Sequence, residues 1–259
     1  MERLSRHNDK PRGLSASGLR TCGYLCLLFG VTAKGIIQNG MLNLIGKNTE
    51  ELLMVMEQSS DAMSMITASI VLQILEACAV PIFAFLLVEG FQKTSSYKDY
   101  LTRMMLVAAL SEIPYNLAFG GKVIDLGSRN PVIAMVICLL MLYFYRYCSA
   151  RTFKNLAIKT VVTASAFLWS MMLGIEQGAF LVLMVAVFWL MRGKPGFRLL
   201  VGCGAAALST LLSLVNIVAP FSCLLLYLYN GEKGESNRVL NMACYPLMLL
   251  IAGIAAIYL

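Results

Sequence analysis

The chain has 259 residues, 59% of them hydrophobic and only 14% charged, with a mean hydropathy of +0.74. A soluble domain carries about 25% charged residues, so this composition, with repeated apolar runs of about 18 or more, excludes the soluble class and predicts an all-α, polytopic transmembrane helical bundle. The net charge of +7 does not predict nucleic-acid binding, because no basic-aromatic binding motif accompanies it and the Lys and Arg residues fall in connections between spans.

In chain order, residues 1–18 read as a basic cytoplasmic tail (Arg3, Arg6, Lys10, Arg12) without the apolar core of a secretory signal, and residues 19–259 as a single transmembrane domain. The first span covers about Leu19 to Leu44 and contains Lys34. An acidic connection with Glu50, Glu51, Glu57 and Asp61 follows, and the spacing of Leu52, Leu53 and Met56 suggests an interfacial helix. The second span, about Met63 to Val88, carries Glu76 and Pro81; the third, about Tyr100 to Phe119, carries Glu112 and Pro114 and stops at Gly120-Gly121. Each proline removes an amide donor and frees a carbonyl beside a glutamate, so both helices are expected to kink there.

Spans four to six cover about Pro131 to Tyr147, Leu156 to Leu173 and Gly178 to Met191. The stretch from Phe197 to Tyr229 would be about 50 Å long as one helix, well beyond a hydrocarbon core of roughly 30 Å, so two short spans broken near Asn216 to Pro220 are expected. A last span, about Val239 to Tyr258, gives about nine in all. Counted this way, all of the 21 basic residues except Lys34, Lys47, Lys122 and Arg129 lie on the side of the amino terminus. The positive-inside rule then predicts a multi-pass cell-membrane protein with a cytoplasmic amino terminus and an outer carboxyl terminus. With eight spans, Lys233 and Arg238 would move outside.

Three ionisable residues fall deep in these spans. Counting from the cytoplasmic end at about 1.5 Å per residue places Lys34, Glu76 and Glu112 at roughly 21, 20 and 14 Å. A charge in hydrocarbon is kept at least cost by a partner. A Lys34–Glu76 or Lys34–Glu112 pair either locks three helices together or lines a polar cavity in which a glutamate acts as general base. Glu89 and Arg103 flank the short link after the second span; with Lys93 and Lys98 they form either a mouth for an anionic cytosolic ligand or an ordinary basic boundary. The eight cysteines include no Cys-x-x-Cys pair and His7 is the one histidine, so no metal-ligand set is expected.

The run Pro81-Ile-Phe-Ala-Phe-Leu-Leu-Val-Glu89-Gly90-Phe91, then Lys93-Thr94, Tyr97, Tyr100 and Arg103, then Ser111-Glu112-Ile-Pro114-Tyr115-Asn-Leu, resembles the TraX family of integral membrane proteins. Asn130, Tyr229-Asn-Gly231-Glu-Lys-Gly234 and Tyr245-Pro246 are similar to its later landmarks. The resemblance implies a membrane acyltransferase that moves an acetyl or acyl group from cytosolic acyl-CoA to a membrane-associated peptide or lipid. By position it carries over Glu89, Arg103, Glu112 and Asn130. Two departures stand out. Where the family's first span bears an Asp-His pair, this chain reads about Val31-Thr32-Ala33-Lys34, and after Tyr245-Pro246 it has Leu247-Met248 in place of a histidine. Glu112 or Glu76 is therefore the expected base, with Arg103, Glu89 and Lys93 at the donor's phosphates and Lys34 and Asn130 in the polar cavity. A non-catalytic assembly or binding partner, or a small-solute transporter using Lys34, Glu76 and Glu112, are the competing readings.

Overall fold

The structure is a computed structural model and describes residues 13–45, 47, 51, 54, 59–125, 127, 129–148, 152–235 and 237–259. The basic tail with His7 and the expected interfacial helix at Leu52, Leu53 and Met56 lie outside the described residues. The described chain is helical and forms a bundle, as its composition demands: without water, a backbone satisfies its own polar groups most simply as helix.

Helix α1 (Ala16–Val31) is capped by Ser15, whose hydroxyl accepts from the Gly18 amide at 3.3 Å, and runs without a break into a π-helix over Thr32–Met41. Helix α2 (Ser60–Glu76) and α3 (Ala79–Lys93) form one long span with an irregular turn at Ala77–Cys78. The bend thus falls just before Pro81, which occupies the first turn of α3, where a missing N–H leaves no helix bond unmade. Helix α4 (Tyr97–Gly120) includes Pro114 and stops at Gly121, in the left-handed region at φ +61°. Next come α5 (Pro131–Tyr147), α6 (Phe153–Met172), α7 (Gly178–Leu190) and α8 (Pro195–Leu208).

After α8 the chain reverses earlier than expected, at Leu212–Ser213, and returns through a 3-10 segment (Leu214–Phe221) and α9 (Ser222–Tyr227). Asn216 does not break a helix there; its side-chain amide donates to the Ser209 carbonyl at 3.2 Å and ties the two legs together. Pro220 is accommodated inside the 3-10 leg. Helix α10 (Arg238–Tyr258) is capped by Asn237 and closes the chain.

Helix α7 is apolar on every side and buried, so it stands in the middle of a core made with α3 and α5, around Phe85, Leu142, Val182 and Phe188. A second core joins α1, α4 and α10 through Val31, Ala108, Tyr115, Tyr245 and Leu249. Outside these, large apolar side chains such as Leu110, Ile113, Leu140, Phe144, Leu168 and Ile251 are exposed. An apolar exterior of this extent is costly in water and natural in lipid. The helices Ala16–Met41, Ser60–Lys93 and Arg238–Tyr258 are each long and apolar enough to cross a bilayer.

The bundle has two distinct ends. At the basic end the Leu14 amide donates to the Leu228 carbonyl at 2.7 Å, the Ala16 amide to Glu232 at 2.8 Å, and the Lys93 ammonium to the Gly231 carbonyl at 2.8 Å. The amino-terminal segment, the α3–α4 link and the α9–α10 link therefore share one end. At the far end Asn39 donates to the Ala118 carbonyl at 2.9 Å and the Arg129 amide to the Gly174 carbonyl at 3.2 Å.

Candidate functional site

Lys34 sits on the third residue of the π-helix. The wide turns of such a segment are rare and recur at functional sites. Here they point polar groups at two neighbours: Gln38 donates to the Ser69 hydroxyl of α2 at 2.9 Å, while Asn39 bonds the end of α4. The Lys34 ammonium lies 3.9 Å from Glu76 Oε2 and is in contact with Glu176 Oε1, with 18% of its side chain exposed. Of the two pairings expected for Lys34, the structure makes the one with Glu76. Gly30 makes room for it: a Cβ there would lie 1.9 Å from the Glu76 carboxyl carbon. Gly30→Ala is expected to displace Glu76 from Lys34 and to lower stability by about 1–3 kcal/mol, read by thermal unfolding in detergent. Gly204→Ala, where nothing lies within 4 Å of the new carbon, is the control and should be neutral.

Glu112 has a different partner from the one expected. Its Oε1 accepts from Arg129 Nη1 at 3.2 Å, and its Oε2 is buried without a hydrogen-bond partner. Arg129 comes from the α4–α5 link, which folds back over α4. Asn130, next in sequence, is fully buried and occupied at both ends: its oxygen caps α5 by accepting from Val132 N at 2.9 Å, and its amide donates to the Ala108 carbonyl at 3.4 Å. It positions the link rather than lining a cavity.

Glu176 joins the cluster from the α6–α7 link. Gly174 and Gln177 both adopt positive φ, +63° and +55°, which folds residues 173–177 tightly under the bundle and buries Ile175. The Glu176 carboxylate is thereby turned inward, where Oε2 accepts from the Tyr115 hydroxyl at 3.3 Å, yet 37% of its side chain stays exposed. Tyr245 of α10 lies within electrostatic range of Tyr115, Glu76 and Glu112. Lys34, Glu76, Glu176 and Tyr115 thus meet between the π-helix, α2, α4 and the α6–α7 link, with the Glu112–Arg129 pair one turn away from Tyr115 on α4. The residues that sequence reasoning missed, Arg129, Glu176, Tyr115 and Tyr245, come from connections or from positions that read as apolar packing.

The basic end separates residues that the sequence grouped together. Glu89 turns into the bundle, accepting from Arg198 Nη1 at 2.7 Å and pairing with Lys93 at 3.2 Å. Arg198, counted from sequence as a boundary charge, is only 6% exposed and lies over the Phe85 ring, its carbon 4.2 Å from the centroid. Lys93 also donates to the Tyr229 hydroxyl at 3.0 Å. Arg103 stands apart from this group. With Thr94, Ser95, Ser96, Asp99 and Arg238 it lines a polar pocket of about 340 Å³ at the start of α4. Ser96 caps the helix by accepting from the Asp99 amide at 3.3 Å, and Arg103 Nε donates to the Asp99 carbonyl at 3.0 Å. Two guanidiniums against the one Asp99 carboxylate leave the pocket with a positive balance, which suits an anionic ligand such as a phosphate.

No curated protein and no solved structure matches the chain. A family model described as TraX protein matches residues 50–255, which takes in the Glu76, Glu112 and Glu176 cluster as well as the pocket at Arg103. Since that match covers most of the sequence from the acidic connection to the last turns of α10, the chain belongs to the TraX family.

Proposed function

We propose that this protein is a membrane acyltransferase that takes an acyl group from a cytosolic acyl-CoA and passes it to an amine or hydroxyl of a membrane-associated peptide or lipid. The observation that carries the reading is the Glu112 carboxylate. One oxygen is fixed by Arg129; the other is out of water with no partner, the arrangement a general base needs to accept a proton. Nine residues earlier on the same helix, about 14 Å away, Arg103 lines the polar pocket. A nucleotide thioester carries its acyl group on a long flexible arm, which suits a phosphate site and a reacting centre separated in this way.

In the reaction, Glu112 Oε2 takes the proton of the attacking nitrogen or oxygen as that atom bonds to the thioester carbon. The carbon–sulfur bond then breaks and the thiolate leaves with a proton. Lys34 and Arg129 are the cations at hand for the negative charge that develops on the thioester oxygen. Glu76, paired with Lys34, keeps that ammonium in place. In this reading the basic end, with Arg20, Lys93, Arg103, Lys233 and Arg238, faces the cytosol.

The test is purified protein in lipid nanodiscs, labelled acetyl-CoA and a panel of lipid-anchored amines and alcohols. Label should pass to one acceptor class. Arg103→Ala with Arg238→Ala should raise the donor KM at least about tenfold, and more at low salt, while kcat at saturation changes little. Binding of the donor without any transfer would instead favour a non-catalytic binding partner. Failure to bind it at all would sink the acyltransferase reading.

A further inference from the structure

We infer that Glu176 is the exit carboxylate for the proton that acyl transfer to an amine releases, delivering it to the end of the molecule opposite the donor pocket. The inference rests on the acyltransferase reading and adds a direction to it. An ammonium acceptor and a thioester give an amide, a thiol and one proton. The acceptor loses two protons, the departing thiolate keeps one, and the other has to leave a site that is surrounded by apolar helices.

Among the described residues, linked polar groups lead from that site to the far end. Glu176 is the most exposed carboxylate of the cluster, and it reaches solvent at the far end, beside Arg129 and Gly174. Its two oxygens are engaged on the inner side by different groups: Oε1 by the Lys34 ammonium and Oε2 by the Tyr115 hydroxyl. Lys34 in turn faces Glu76 of α2, and Tyr245 of α10 stands within electrostatic range of Glu76, Glu112 and Tyr115. From α4 and its following link come the paired Glu112 and Arg129, and the Arg129 amide bonds the Gly174 carbonyl two residues before Glu176. A proton taken up at Glu76 thus has Lys34 between it and Glu176, and one taken up at Glu112 has Tyr115, one turn on along α4, as its link to the same carboxylate. Toward the basic end lie the apolar core of α3, α5 and α7 and the Glu89–Arg198 pair, and the way from Glu112 to Arg103 is the one the donor's arm takes in this reading.

The backbone points the same way. A link carboxylate with no task would lie in solvent. This one is turned inward by departures into the left-handed region on either side of it, at Gly174 and Gln177, and by the bond from the Arg129 amide to the Gly174 carbonyl. Gly174 is fixed by space as well as by φ: a Cβ there would lie 2.9 Å from the Gly127 carbonyl oxygen. Glu176 touches neither donor nor acceptor in this account; it is a positioning residue for the proton.

The test uses the full chain in sealed proteoliposomes with a pH dye trapped inside and another outside. The membrane-impermeant donor is added to one compartment, with a lipid-anchored peptide bearing a free amino terminus as acceptor. Only molecules whose pocket faces the donor react, so mixed insertion does no harm. One proton per amide should appear in the compartment opposite the donor. Glu176→Gln should bind the donor within twofold of the unchanged protein but turn over at least about tenfold more slowly at pH 6.5, recovering as pH rises. Glu176→Asp should restore much of the rate. Protons on the donor side, or a Glu176→Gln profile parallel to the original, would overturn the inference while leaving acyl transfer standing. No amide at all would remove both. A measurement free of turnover adds to this: a water-soluble carbodiimide with an amine tag should label Glu176 only from the side opposite the donor pocket, and labelling from the pocket side would overturn the route.

Discussion

Replacing Glu112 by glutamine is expected to cut the proposed acyl transfer sharply while the bundle and donor binding persist. A general base contributes about 10²–10⁴-fold, so kcat should fall by at least about 100-fold with the donor Kd changed by less than twofold. The amide keeps the size of the carboxylate and still accepts from Arg129 through its oxygen, so folding should tolerate it. What it loses is the second oxygen, which has no partner to replace and can no longer take a proton. Glu76→Gln is the informative comparison. It removes the partner of Lys34 and should slow transfer less, because Glu176 still holds the ammonium. If Glu76→Gln were the inactive variant and Glu112→Gln the mild one, the two carboxylates would exchange roles.

The largest stability effect is expected at Glu89. Arg198 is buried against Phe85 and Phe188, and its Nε and Nη2 have no hydrogen-bond partner. Glu89 is the carboxylate that balances it. Removing one member of a buried ion pair leaves an uncompensated charge, which costs about 3–5 kcal/mol. Glu89→Ala should therefore unfold well below the unchanged protein in a thermal ramp in detergent. The double variant Glu89→Leu with Arg198→Met should recover most of the loss, since an apolar pair of similar volume replaces a buried salt bridge at little cost. A single variant as stable as the parent would mean that Arg198 reaches water. The pair also bears on function, because Lys93 joins it to the Tyr229 hydroxyl and the Gly231 carbonyl, and so to the strap that holds the basic end together.

Much of this was legible in the sequence. Long apolar runs located the helices because a bilayer sets their minimum length. Similar depth put Lys34 within reach of Glu76 or Glu112, since few arrangements keep such charges in an apolar bundle, and the structure makes the first of these pairings. The pairings of Glu112 and Glu176 were not legible, for a physical reason: both depend on connections. Arg129 and Glu176 lie in links that sequence rules assign to solvent, and nothing local shows that Gly174 and Gln177 fold their link inward. The π-helix around Lys34 has no signature in apolar spacing, because its bonds are set by what packs against it. Arg198 misled for a related reason. A cation just inside a helix start reads as a boundary charge, and only the tertiary contact with Glu89 shows it to be buried. Asn130 had the opposite fate: it stood out as polar, and its task is to cap α5.

The measurement that bears most directly on the central claim is acceptor-dependent thiol release from acetyl-CoA by the purified protein, followed with a thiol reagent while mass spectrometry follows the acceptor. The account predicts one free thiol for every acceptor molecule that gains an acetyl group, and neither product with Glu112→Gln. Thiol release that is absent, or that proceeds equally with Glu112→Gln, would contradict it.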